Sequence, residues 1–278
     1  MTPTEALVVC ETTVRRTDKD RYFASLFAPA EKRRLLFALY CFNEQLARAV
    51  AVARDPLAAE IRLQWWREAL GAAREFRPPA HPVAIGLAEI LEKYPDQMAE
   101  MEALIDVRIV ESVPAPFATL AAMESHARST SARLMGMAAR LVAGTGAAVD
   151  LINEAGISYG LAGMLRSLAF QARRGQVLLP ADLLAMESLS TADIFQEKNS
   201  GKLKRVLGTV ESCALDHFRR AKQSAVPRAL LPAVLPASLV PAYLSRLARN
   251  VDPLRDRTDI SRLCRLLIVL RAALLGGL

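Results

Sequence analysis

Aromatic residues are scarce, with Phe, Trp and Tyr together making up 6% of the 278 residues. Lys and Arg are scattered along nearly every helix-like segment, with no polybasic arm and no basic stripe interleaved with rings. The stacking platform that single-stranded nucleic acid needs is therefore missing, and no nucleic-acid partner is expected. Histidine is rarer still. His81, His126 and His217 share no ligand spacing, and His81 precedes Pro82 at a helix start, so each is read as a helix-end or surface residue. The four cysteines, Cys10, Cys41, Cys213 and Cys264, lie far apart without a CxxC pair, which argues against both a zinc site and a disulfide framework. A reduced, cytoplasmic setting fits that usage. GxSxG, P-loop and GxGxxG patterns are absent, and the glycines of "VAGTGAAVD" read as a helix–helix turn. With 13 Gly and 15 Pro, the chain is far from a disordered or collagen-like composition.

An uninterrupted membrane-spanning run is lacking as well. Residues 229–245, "ALLPAVLPASLVPAYLS", are uncharged, but Pro232, Pro236 and Pro241 would break a straight spanning helix. The final "LCRLLIVLRAALLGGL" is interrupted by Arg265 and Arg271. Either segment could rest against a bilayer with arginines at the headgroups, and the terminal one reads first as a core helix. Near the N-terminus, Glu5 precedes the short apolar run "ALVVC", too short for a secretory signal, so no export is expected.

What the chain does contain is aliphatic bulk and positive charge: 52% of residues are hydrophobic, and the formal net charge is +7. An anionic partner such as phosphate or acidic lipid is electrostatically favoured. In "EKRRLLFALYCFNEQLARAV" the residues Leu35, Leu39, Phe42, Leu46 and Ala49 repeat at helical spacing. From Pro56 onward, Leu57, Ile61 and Trp65 fall on one face and Leu63, Trp66 and Leu70 on another, which predicts a helix buried between neighbours. Further periodic runs occupy about 82–93, 96–112, 117–143, 148–174, 201–225, 228–235, 239–249 and 259–276, with a short helix at "STADIFQE" capped by Ser190 or Thr191. About ten helices and no alternating strand pattern predict an all-α fold. No repeat or low-complexity linker divides the chain, so residues 1–278 are expected to form a single domain, with 1–18 open to being flexible.

One acidic cluster stands out in "DPLRDRTD". Asp252, Asp256 and Asp259 are spaced i, i+4, i+7 and would converge on a cation if helical. Pro253, the interleaved Arg255 and Arg257, and Thr258 as an N-cap for the last helix favour a solvated connection instead.

"FALYCFNEQLARAV", "EIRLQWWREAL" and "GLAGMLRSLAFQARRGQVLLPADLL" occur in an order and separation that resembles the squalene/phytoene synthase family, from about residue 20 to the end. The resemblance implies a single-domain isoprenoid-synthase helical bundle with a central cavity. Active members join two prenyl diphosphates head to head, using Mg²⁺ held by two facing aspartate-rich helices; Mg²⁺ needs such hard carboxylate oxygens. Aligned on "LYCFNEQ", the first motif's aspartates fall on Ala47, Arg48 and Ala51. The second motif's asparagine and two aspartates fall on Gly163, Ser167 and Gln171, one face at i, i+4 and i+8. The carboxylates of both are thus replaced. Glu44, one turn before Ala47, is the remaining metal candidate, although it also stands four residues before Arg48 in the order of a surface ion pair.

Arg48, Arg166, Arg173 and Arg174 could instead hold an anion through guanidinium forks, or pair with carboxylates inside a remodelled core. The combined "DRYFASLFAPAEKRRLLFALYCFNEQLARA", "RLQWWREAL", "LRSLAFQARRGQVLLPADLL" and "DIFQEKNS" resemble the branch of mitochondrial complex I assembly factor 6 and its bacterial relatives. That resemblance implies a protein without catalytic residues or cofactor, peripheral on the inner membrane, whose partner is a respiratory complex under assembly or a membrane lipid. The alternative is an active prenyl transferase with Mg²⁺ as cofactor and a prenyl diphosphate as ligand.

Overall fold

The computed structural model describes residues 1–278 except 54, 114, 145, 147, 197–199, 250, 251 and 257, and no strand occurs among the described residues. Helix α1 (Pro3–Thr17) starts at a capping box between Thr2 and Glu5, and α2 (Lys19–Ser25) starts at Asp18, whose carboxylate accepts from the Arg21 amide. After α3 (Ala30–Ala51), Asp55 caps α4 (Pro56–Arg74) and His81 caps α5 (Pro82–Lys93), each with proline in the first turn, where its missing N–H costs nothing. There follow α6 (Gln97–Glu111), α7 (Leu120–Ala127), a π-helical turn (Arg128–Ala132) and α8 (Arg133–Ala143). Next come α9 (Val149–Arg166), α10 (Leu168–Ala172), α11 (Ala181–Met186), α12 (Thr191–Phe195) and the long α13 (Ser200–Gln223). The chain closes with α14 (Leu231–Val234), α15 (Val240–Ala248) and α16 (Arg262–Leu275).

Helix α3 is the axis of the bundle. Every side chain from Leu35 to Phe42 is buried, which requires neighbours on all sides, and α1, α4, α5, α6 and α8 supply them. A second axis, α9, packs along α13 and crosses the π-helical turn. The crossing is set by glycine. A Cβ on Gly156 would lie 2.3 Å from the Cα of Ala132, and one on Gly160 would lie 2.9 Å from the Ser131 side chain, so only hydrogen fits between the two backbones.

Several sequence expectations change here. Residues 1–18 are largely helical, and α1 buries Ala6, Leu7, Cys10 and Val14 against α3 and α5. The run 117–143 begins only at Leu120 and contains the π-helical turn, and the run 148–174 is interrupted at Ser167. Only one of the two apolar faces of α4 is buried: Leu63, Trp66 and Leu70 enter the core, while Leu57, Ile61 and Trp65 stay exposed.

The stretch 229–245 does not lie on the surface. Together, residues Arg228–Ala248 are long and apolar enough to span a membrane, yet 78% of their most apolar window is buried in the bundle. Pro232, Pro236 and Pro241 each fall in the first turn of a new short segment, so the chain bends around the core as 3-10 and α turns in succession. Helix α16 reverses its expectation too. Its cap is Ser261 rather than Thr258, and its buried residues are Arg265, Val269 and Ala272, with the leucines turned outward.

Candidate functional site

The positions matched to the first aspartate motif lie in the last turns of α3. Ala47 and Ala51 are half-buried, and Arg48 is exposed on a groove of about 290 Å³ that it shares with Arg62, Trp65, Trp66 and His81. Those matched to the second motif straddle the junction of α9 and α10. Gln171 donates to the Ser167 hydroxyl at 2.7 Å, and that hydroxyl donates to the Met164 carbonyl at 2.7 Å, so the two polar side chains close on each other and the backbone. At Gly163 a Cβ would meet nothing within 4 Å.

A single side chain links the two stretches. Arg174 donates to the Ala51 carbonyl at the C-terminal end of α3, where the helix dipole favours a cation, and its guanidinium stands 5.7 Å from the Phe170 ring. Arg173 is exposed. Glu44 is half-buried; burial and the neighbouring Asp18 push its carboxyl up, against the pull of Arg48 and Arg108. Two alanines, an arginine, a glycine, a serine and a glutamine offer no carboxylate oxygen, so these positions do not fit Mg²⁺.

Arg166 does not face this surface. It lies against a buried ionic network centred on Asp20 of α2, which is 4% exposed. The Asp20 carboxylate accepts from the Tyr159 hydroxyl at 2.8 Å, the Tyr243 hydroxyl at 2.7 Å, Arg265 Nε at 2.5 Å and Arg166 Nη1 at 3.3 Å. Asp259 takes Arg265 Nη2 at 2.6 Å and lies 3.7 Å from Arg166 Nη2. The Arg166 guanidinium stacks over the Tyr243 ring at 3.6 Å. Two arginines thus meet two aspartates, which balances the charge at the junction of α2, α9, α15 and α16. Burial alone would raise the Asp20 carboxyl, but Arg166, the Tyr243 hydroxyl and Arg265 outweigh it and hold it below the usual range. Tyr159 and Tyr243 are both pushed up, by burial first and then by the Asp20 charge.

The family model described as squalene/phytoene synthase matches residues 14–264. The chain belongs to that family. Its relatives include a mouse protein named NADH dehydrogenase (ubiquinone) complex I, assembly factor 6, which is 25% identical over 243 residues covering 86% of this chain and 73% of the mouse protein. A maize phytoene synthase 2, chloroplastic, is 23% identical over 196 residues, 68% of this chain and 48% of the maize protein. Among solved structures, a dehydrosqualene synthase in complex with ligand superposes with a TM-score of 0.85 at 15% identity, covering 97% of this chain and 95% of that one. The all-α fold is therefore that of the squalene/phytoene synthases.

Within this family member, the sequence-selected arginines divide by environment. Arg166 realises the pairing with core carboxylates; Arg48, Arg173 and Arg174 reach the surface. The acidic cluster also divides. Asp252 accepts from the Leu254 amide at 2.9 Å and pairs with Arg255 at 3.3 Å, and Asp256 accepts from the Asp252 amide at 3.0 Å, whereas Asp259 belongs to the arginine network. No helix forms over the described residues of 252–259, so the i, i+4, i+7 geometry does not arise. His81 caps α5 and packs edge-on against Trp65 and Trp66, and His126 pairs with Glu111 at 3.0 Å.

Sequence reading missed Asp20, Tyr159, Tyr243 and Arg265 as a unit. The legible signal was Arg265 itself, a charge inside an otherwise apolar helical run, which needs a buried partner if that face turns inward. The partners lie up to 245 residues away, and no spacing rule joins them.

Proposed function

We propose that this protein is a non-catalytic member of the squalene/phytoene synthase family that acts in the assembly of respiratory complex I at a membrane surface. The observation that carries the reading is the donor set: the six positions matched to the two metal motifs hold no carboxylate, while the family fold around them is retained. Without carboxylates, two or three Mg²⁺ ions bridging a departing diphosphate cannot be neutralised. The mouse relative's name supports the assembly role.

Helix α16 supports contact with a membrane. Leu263, Leu266, Leu267, Leu270 and Leu274 are all exposed. At about 100° per residue they form one stripe opposite Arg265, Val269 and Ala272, with Arg262 and Arg271 on its two margins. Leucines flanked by arginines, on a chain of net charge +7, match the interface of an anionic bilayer.

Deleting the gene in its native host and resolving membrane complexes on native gels should reduce assembled complex I; unchanged abundance would overturn the assembly role. The maize relative's name favours a second reading, an active prenyl transferase. Purified protein given farnesyl or geranylgeranyl diphosphate with Mg²⁺ is expected to release no pyrophosphate, and turnover matching an active control would establish that second reading instead.

A further inference from the structure

His217 was expected at a helix end or on the surface, but it sits inside α13, nearly two turns before its C-terminal end, and is 4% exposed. Cys213 is one turn earlier on the same helix, so the two side chains point the same way. Opposite them stand Glu124 of α7 and Glu154 of α9. The Cys213 thiol donates to Glu124 Oε1 at 3.1 Å, and His217 Nε2 is 3.4 Å from Glu124 Oε2. Cys213 Sγ, a ring nitrogen of His217 and a Glu124 oxygen all lie within 4.8 Å of one another. Around a zinc ion with ligand distances of about 2.0–2.3 Å, adjacent tetrahedral ligands stand roughly 3.3–3.6 Å apart. The two separations from Glu124, 3.1 Å to the thiol and 3.4 Å to the imidazole, are already close to that.

The other ring nitrogen has its own partner. His217 Nδ1 is 2.7 Å from Glu154 Oε2, and Arg220 Nε donates to the same oxygen at 2.7 Å. In the tautomer whose Nδ1–H donates to this carboxylate, Nε2 is free to ligate, the arrangement that orients most metal-binding histidines. Arg220 Nη2 also stands 2.8 Å from Nδ1, and its charge is offset by its bond to Glu154. A cleft of about 430 Å³, lined by Thr209, Ser212 and Asp216 together with the three ligands and Arg220, opens beside the cluster.

We infer that Glu124, Cys213 and His217 form a binding site for a borderline-soft divalent metal of the zinc class, with Glu154 as the positioning residue and a fourth coordination position open to the cleft. One sulfur, one imidazole nitrogen and one carboxylate oxygen suit Zn²⁺ or Co²⁺ and disfavour Mg²⁺ and Ca²⁺. On binding, the Cys213 thiol loses its proton to solvent and its sulfur turns from Glu124 to the metal. Cysteine spacing alone suggests no zinc site; in this proposal Cys213 and His217 supply two ligands at i, i+4 spacing, and the fold brings the third, Glu124, from α7.

The test is titration of the chelator-stripped full-length protein with Co²⁺ and with Zn²⁺. One equivalent should bind, with a thiolate-to-cobalt charge-transfer band. Cys213→Ser should abolish that band. Glu124→Gln and His217→Gln should each weaken Zn²⁺ binding by at least about tenfold, and Glu154→Gln by roughly 10–100-fold with the band retained. Cys264→Ser, which alters the exposed thiol elsewhere, should change nothing. Because His217 is buried and its variant could misfold, the near-isosteric Cys213→Ser, checked by far-UV circular dichroism, carries the decision. No bound metal in the wild-type protein, or binding unaffected by Cys213→Ser, would overturn the site.

Discussion

Helices α3 and α16 are both rich in leucine and interrupted by arginine, yet they meet the molecule in opposite senses. Over Leu35–Phe42, α3 buries every side chain, and its arginines Arg33, Arg34 and Arg48 stay outside this stretch. Helix α16 buries an arginine, a valine and an alanine, and turns Leu263, Leu267 and Leu274 to the outside at 66%, 56% and 78% exposure. The difference lies in the surface each helix meets. Around Leu35–Phe42 the neighbours present mostly apolar side chains, with the Arg21 guanidinium over the Tyr40 ring the charged exception. At α16 the core presents Asp20, a buried carboxylate that needs cations, so the arginine face turns inward. Hydrophobic periodicity predicts which side of a helix is buried only where the receiving surface is apolar.

Breaking the ionic lock should have the largest effect. Asp20→Ala leaves the buried Arg265 and the half-buried Arg166 with only the exposed Asp259 as a carboxylate partner and is expected to cost about 3–5 kcal/mol. In denaturant titrations this would appear as a large drop in midpoint, with early proteolytic cleavage before α16; a loss below about 1 kcal/mol would show that α16 is held by its apolar contacts instead.

An aliphatic cut in the other helix comes next. Leu39→Ala, at a fully buried position of α3, should cost about 2–4 kcal/mol, with no selective release of α16 in proteolysis. If both variants freed the same fragments, the two helices would be one cooperative unit and the contrast would dissolve.

Acid should separate the two modes without mutation. The folded Asp20 carboxyl lies below its unfolded value, so its contribution is fully present above the unfolded pKa of about 4 and is lost as pH falls through the folded one. Burial of Leu36 and Leu39 does not titrate. Amide exchange at pH 7 and pH 3 should show protection of α16 falling before that of the α3 centre.

The smallest effect on folding belongs to the outward leucines. Leu267→Gln with Leu274→Gln should alter stability by no more than about 0.5 kcal/mol per site while removing flotation with anionic vesicles. Retained flotation would move the membrane contact away from α16.

Much of the fold could be read from the chain. The spans of α3, α5 and α6, the proline starts of α4 and α5, and the Ser190 cap of α12 match the pattern of apolar spacing and capping chemistry. These features are local, carried by hydrogen bonds and side-chain directions within a few residues. The contiguous burial of 230–240 and the π-helical turn at the Gly156 crossing were not legible, because both depend on how closely another segment approaches.

The candidate sites divide the same way. Ala47, Arg48, Ala51, Gly163, Ser167 and Gln171 were picked out by the resemblance, and their lack of carboxylates is a property of the sequence, whereas the break at Ser167 that divides the second set between α9 and α10 was not legible. That Arg166 turns to Asp20 rather than outward, and that His217 meets Glu124 and Glu154, arises from residues 63 to 146 positions apart. The sequence by itself determined most of the helices, several of their caps and the donor atoms this protein has to offer. Tertiary structure alone decided which of those atoms meet and which face of each helix is inside, because burial of a charge is settled by the partner across the interface and not by its neighbours along the chain.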